Sequence, residues 1–180
     1  TADGGSGADI DVVDLSNLAG GQTITLNGNI IHGVSNIERV VANANNNNTL
    51  AAYGVNTWDI YDVDSDADTT HDGKVAGMEF IGFKNLAGGT GVNAGVDTFN
   101  INNSFDGTIS GGGGADIFNI DAAVTNINGD ADADIFHINA AVGNLQGGAD
   151  GDHFVFHSAG SITTADGGSG ADIDVVDLSN

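Results

Sequence analysis

The densest chemistry in this sequence is acidic. Asp62-Val-Asp64-Ser-Asp66-Ala-Asp68-Thr-Thr-His-Asp72 places carboxylates at every second position from Asp62 to Asp68 and again at Asp72. From Asp64 the pattern D-x-D-x-D-x-x-x-D matches the first nine positions of a calcium-binding loop, so Asp64, Asp66, Asp68 and Asp72 are candidate oxygen ligands for Ca²⁺. Thr69 stands where such a loop needs glycine, and Val75 where it needs a bidentate Glu. Alternating charges also suit a solvated acidic edge, which is the preferred reading of this stretch. A second acidic signal is periodic. Gly111-Gly-Gly-Gly114-Ala-Asp116, Gly129-Asp-Ala-Asp132-Ala-Asp134 and Gly147-Gly-Ala-Asp150-Gly-Asp152 follow one another at 18-residue steps. Gly4-Gly5-Ser-Gly7-Ala-Asp9 has the same form and recurs from Gly167 to Asp172, while Gly88-Gly89-Thr-Gly91 begins it ahead of Asp97. Glycine permits a tight reversal there, and an Asp side chain can cap the backbone N–H groups of the turn.

Other reactive residue types are sparse. His32, His71, His137, His153 and His157 show no zinc spacing and read as surface positions. Tyr53, Trp58 and Tyr61 cluster in sequence; a sugar-stacking platform is one reading, and packing within an irregular part of the core is preferred. The chain lacks Cys and any G-x-S-x-G nucleophile turn, so no catalytic residues are assigned and an enzyme is not expected. With only Arg39, Lys74 and Lys84 as cations, binding of an acidic polysaccharide is disfavoured.

These residues need many tight turns to position them, and the composition supplies them. There are 29 Gly and no Pro, and every acid except Glu38 and Glu79 is Asp. Asp, Asn and Gly favour turns and left-handed backbone and are poor in helix interiors. The net charge of −22 argues against nucleic acid, which requires Lys and Arg on phosphates, and against anionic membranes. No apolar stretch reaches the length of a membrane span, and no signal peptide is visible.

The strands read from a repeated motif, Asp-x-Phe-x-apolar. It occurs as Asp97-Thr-Phe99-Asn-Ile101, Asp116-Ile-Phe118-Asn-Ile120, Asp134-Ile-Phe136-His-Ile138 and Asp152-His-Phe154-Val-Phe156. Alternation along a strand puts the four Phe in one inward column and Ile101, Ile120, Ile138 and Phe156 in another, with Asn119 and His137 outward. Val124 with Ile127, then Val142 with Leu145, form a second apolar pair per repeat. This period predicts an all-β, right-handed parallel β-solenoid with coils of about 18–20 residues and a rise of about 4.8 Å per coil. The first half is less regular: Val34–Glu38 and Val75–Glu79 match at an offset of 41, and 56–74 reads as an excursion. A longer repeat encloses the short one. TADGGSGADIDVVDLSN spans residues 1–17 and recurs verbatim at 164–180, so 1–163 reads as one tandem unit and 164–180 as the start of the next.

The Gly/Asp turns resemble the RTX (repeats-in-toxin) nonapeptide GGxGxD. That resemblance implies a parallel β-roll holding Ca²⁺ between successive turns. It carries over Asp9, Asp116, Asp134, Asp152 and Asp172 as candidate ligands, joined by Asp132 and Asp150 in the variant turns. It covers residues 88–180 and the first 17. The second half of each repeat, AAVTNIN or AAVGNLQ, has no Gly-rich turn, so at most one ion column is expected. The wider patterning is similar to giant filamentous-haemagglutinin-like bacterial surface proteins. The resemblances imply an extracellular, cell-surface structural or adhesive repeat whose partners are neighbouring copies, end to end, with self-association into filaments. A Ca²⁺-triggered folding module of a secreted protein and a carbohydrate-binding or carbohydrate-modifying β-helix are the alternatives.

Overall fold

The structure is a computed structural model that describes residues 2–5, 9–27, 31, 33–64 and 71–179. It is all-β, with strands that pair mostly in parallel and two single-turn 3-10 helices, Ala44–Asn46 and Gly91–Asn93. From residue 85 onward the chain alternates between two sheets. One receives Asn85–Ala87, Phe105–Gly113, Val124–Ala131, Ala141–Ala149 and Ser161–Ser169. The other receives Thr98–Ile101, Ile117–Ile120, Ile135–Ile138, His153–Phe156 and Val175–Asp177. Each strand therefore lies beside the strand one repeat away in sequence.

Register sets the core. Phe99 pairs with Phe118, Phe118 with Phe136 and Phe136 with Phe154, and Ile101, Ile120, Ile138 and Phe156 pair in the same way. The rings lie face over face, with centroids 4.9, 4.9 and 5.1 Å apart and planes within 12° of parallel. That spacing is close to the separation of adjacent strands, so the backbone hydrogen bonds and the ring stack impose the same rise. In the facing sheet Phe105, Val124 and Val142 form one apolar column, and Ile109, Ile127 and Leu145 another. All of these side chains are buried except Phe156, at the end of its column, which is half-buried.

The uneven step between repeats has a local cause. Phe105 pairs with Val124 at an offset of 19, whereas Thr108 pairs with Asn126 at 18. The extra residue is absorbed in a bulge around Gly107, which leaves the inward alternation intact on both sides.

The first half departs from simple alternation. Thr57–Ile60 joins the phenylalanine sheet directly: Trp58 pairs with Phe99 and stacks on it at 5.5 Å. Residues 57–60, expected within an excursion, thus belong to the regular core. The chain returns antiparallel as Gly73–Val75 and reverses at Ala76–Gly77 into Met78–Ile81. Both turn residues have positive φ, +53° and +82°, as a two-residue hairpin turn requires. Met78–Ile81 then pairs in parallel with Arg39–Val41, and Arg39 aligns with Glu79. The offset there is 40 rather than the expected 41. It brings Arg39 Nη2 within 2.7 Å of Glu79 Oε2.

Because Phe136 lies mid-stack between two parallel rings, Phe136→Ala should lower unfolding free energy by about 3–5 kcal/mol. Chemical denaturation followed by far-UV circular dichroism measures this. A change below about 1 kcal/mol would contradict the stacked core.

Candidate functional site

Each phenylalanine strand is preceded by an aspartate, and these aspartates form a ladder inside the protein. Asp97, Asp116, Asp134 and Asp152 are buried, at 0–1% exposure. The Oδ1 of each accepts the backbone N–H of its counterpart one repeat earlier: Asp97 N–H to Asp116 at 2.6 Å, Asp116 N–H to Asp134 at 2.7 Å and Asp134 N–H to Asp152 at 2.9 Å. Asn56 N–H donates to Asp97 at the lower end, and Asp152 N–H to Asp174 at the upper. The backbone carbonyls of the same aspartates take the N–H of Ile117, Ile135, His153 and Val175. The carboxylate thus satisfies a buried donor at the corner where the chain leaves one sheet for the other and ordinary strand pairing lapses.

The glycines follow from this ladder. A Cβ on Gly111, Gly129 or Gly147 would lie 2.3, 2.1 or 2.1 Å from Oδ2 of Asp116, Asp134 or Asp152. It would also lie 2.3–2.7 Å from the carbonyl oxygen of the glycine in the next turn. Only a Cα–H fits, and it faces the carboxylate as a weak donor. The Oδ2 atoms of Asp116, Asp134 and Asp152 have no other partner. Two further positions per turn are left-handed, and Gly112, Asp130 and Gly148 share one of them. Gly114, Asp132 and Asp150 share the other, at φ of +109°, +75° and +73°. Asp substitutes for Gly there because a short polar side chain tolerates this conformation.

Enclosure shifts the ladder's protonation. Burial pushes the Asp97 carboxyl up to about 6, although the Asn56 N–H opposes it. Burial likewise raises Asp116 to about 7 and Asp134 to about 8, with neighbouring aspartates adding to the rise against the opposing backbone N–H. Asp152 is raised by burial as well.

The expected ligands fall into three groups. Asp116, Asp134 and Asp152 share the buried column, each with a backbone N–H on Oδ1. Asp132 and Asp150 lie exposed on the adjacent turn, where Asp132 Oδ2 accepts from Gly114 N–H at 3.0 Å. Asp9 and Asp172 are exposed and off the column. Asp174 takes the column position in the second copy of the 17-residue sequence, because that turn is two residues longer. In the acidic stretch, Asp66 and Asp68 lie outside the described residues. Among the described residues, Asp62, Asp64 and Asp72 are the three acidic groups whose oxygens converge, within 4.8 Å. Asp72 is buried and Asp64 exposed, and Asp72 Oδ1 accepts Gly82 N–H.

The ladder and its surroundings also include residues outside the motif. Asp97 and Asp174 escape the Gly/Asp motif because their glycines stand farther upstream than it allows, yet the Asp-x-apolar-x-apolar signature marks both. His71 was expected at the surface, but it is buried against Phe105 and bonded to Asp106, which Lys84 also contacts. Trp58 is enclosed by Phe80 and Phe99, so its indole cannot serve as a sugar platform. His32 lies outside the described residues.

Comparison of the chain with protein-family models, with curated proteins and with solved structures returns no match.

Two measurements probe the ladder. A raised native pKa means that the folded chain binds these protons more tightly than the unfolded one. The resulting stabilisation is complete below the unfolded value of about 4 and is lost as pH rises through about 6–8. Melting temperature should therefore fall between pH 5 and pH 8, and Asp134→Asn should flatten that slope while keeping the acceptor. Asp134→Ala, which strands the Asp116 N–H, should cost about 1–3 kcal/mol at pH 5. Separately, Gly129→Ala should destabilise by about 1–3 kcal/mol or more through overpacking. Gly54→Ala is the converse case, with open space around the new methyl but a φ of +79°, and so measures left-handed strain without overpacking.

Proposed function

We propose that this chain is a structural segment of a repetitive extracellular surface protein, a right-handed parallel β-solenoid acting as a stiff spacer or the shaft of an adhesive fibre. The observation that carries this reading is the aspartate ladder. Its carboxylates are spent on the protein's own backbone, repeat after repeat, behind 0–1% exposure that admits no substrate. Right-handedness follows from the strong bias of parallel crossover connections. Stiffness follows from continuity: hydrogen bonds, rings and carboxylates all repeat along one direction, so bending would strain all three together. Outward amides extend the pattern, with Asn119 Nδ2 donating to Asn100 Oδ1 and Asn144 Nδ2 to Asn126 Oδ1. On this reading the shaft is no enzyme, its localisation is the bacterial surface, and its partners are further copies of itself.

Calcium is the second reading, favoured by the convergence of Asp62, Asp64 and Asp72. Three carboxylates offer the hard oxygens Ca²⁺ prefers, whereas the ladder oxygens are already engaged or pressed against glycine. A cation in this loop would offset part of the net charge of −22 without being needed by the ladder.

Circular dichroism with and without chelator separates the two roles. The shaft should keep its β signal in excess EDTA. Collapse of that signal, with recovery on adding Ca²⁺, would instead identify a calcium-triggered folding module. If the loop binds Ca²⁺, calorimetric titration should register it, and Asp64→Asn should weaken it without lowering stability in EDTA.

A further inference from the structure

The sequence TADGGSGADIDVVDLSN occurs at 1–17 and again at 164–180, and the two copies share several local features. Val12–Asp14 and Val175–Asp177 are both strands. Gly5 and Gly168 are both left-handed, at φ of +103° and +110°. Asp14 Oδ1 accepts the Ser16 N–H, and Asp177 Oδ1 the Ser179 N–H, each at 2.8 Å. In both copies the glycine Cα, Gly4 or Gly167, faces an aspartate Oδ2, that of Asp11 or Asp174.

The two copies are nevertheless paired on opposite edges. The first is covered by later residues: Val12, Val13 and Asp14 pair with Arg39, Val40 and Val41, and Ala2 and Asp3 with Val34 and Ser35. Its Gly4 and Leu15 amides donate to Ser35 and Val41, and its Asp11 amide to the Glu38 carboxylate. The second copy is covered by earlier residues: Val175, Val176 and Asp177 pair with His153, Phe154 and Val155, and Ala165 and Asp166 with Leu145 and Gln146. There the Val175 amide donates to the Asp152 carbonyl. The amides equivalent to Gly4, Asp11 and Leu15 are those of Gly167, Asp174 and Leu178, and they face the uncovered edge. The same 17 residues are thus seen once from each side.

We infer that the edge formed by Ala165 to Leu178 is the docking edge for the segment Val34 to Val41 of a second copy of this chain, following in tandem and paired as Val34 to Val41 pair with Ala2 to Leu15 here. Val175, Val176 and Asp177 would take Arg39, Val40 and Val41 of the second copy, and the Asp174 N–H would take its Glu38 carboxylate. The apolar surface agrees with that occupant. Val176 and Leu178 are 61% and 73% exposed, whereas their equivalents Val13 and Leu15 pack against the core. Beside Val176 an apolar cavity of about 450 Å³ opens where the interior columns stop, lined also by Phe154, Phe156 and Ile162. On the first copy the matching place is closed by Val40, which pairs with Val13 and is fully buried. A tandem copy makes this joint without rearrangement. A separate molecule would first have to expel its own residues 1–17 from the same edge. The inference rests on the stacked-repeat reading proposed above and adds the partner and its register.

Amide hydrogen exchange on two chains tests it: residues 1–180 alone, and 1–180 followed directly by a further 18–180. In the short chain Gly4, Asp11 and Leu15 should be protected, while Gly167, Asp174 and Leu178 exchange freely. In the two-unit chain the latter three should slow by about 100-fold or more, and unfolding should be a single transition. Val176→Asp should scarcely move the melting temperature of the short chain but lower that of the two-unit chain. Seam amides that stay fast, or two units that melt independently or fail to fold while the short chain folds, would overturn the joint. If Phe118 and Phe136 are unprotected in the short chain, the stacked-repeat reading itself fails; if they are protected while the seam stays open, only the joint fails.

Discussion

One buried donor per repeat governs this protein. At the corner between the two sheets, the backbone N–H of each aspartate points into the interior, where leaving it unpaired would cost about as much as losing a hydrogen bond outright. A carboxylate from the next repeat supplies the acceptor, as Asp134 does for Asp116. The first half shows the variation: Glu38 performs the task for Asp11 where the neighbouring strands are arranged differently.

Much of the composition follows from that one contact. A carboxylate in the corner leaves no room for a Cβ on the facing turn, so glycine recurs there. Turns this tight push other residues left-handed, which selects more Gly and, where solvent is near, Asp. Stacking the carboxylates at the strand spacing brings like charges together, and burial withholds the water that would screen them. The two effects act together to keep part of the ladder protonated near neutral pH. The formal charge of −22 therefore overstates the charge carried by the folded chain.

The core and the ladder reinforce each other through register. Phe118 can stack on Phe136 only if Asp116 and Asp134 are one rise apart, and the Asp clasp holds that rise on the side of the sheet where the strand begins. Irregularities are placed where they disturb neither. The bulge near Gly107 lies in the facing sheet. The Ala76–Gly77 hairpin fills the gap between Thr57–Ile60 and Met78–Ile81 with one antiparallel strand, so Trp58 and Phe80 still meet in the core.

The repetition of Asp-x-Phe-x-apolar was sufficient to predict the parallel pairing, the two inward columns and the partners of Phe99, Phe118, Phe136 and Phe154, because a period-two strand at a fixed repeat length leaves those side chains one place to go. The glycines and aspartates were legible as turn residues. Which way the carboxylates point was not, since capping the backbone and facing outward toward a cation use the same residues at the same spacing. Three-dimensional packing decided between those positions by leaving a donor inside that only the next repeat could reach. It also settled what no linear pattern contains: that Asp174 rather than Asp172 continues the ladder, that His71 is buried, and that Trp58 stacks on a residue 41 positions away. Each depends on loop lengths and strand order, which determine neighbours across the sheet rather than along the chain.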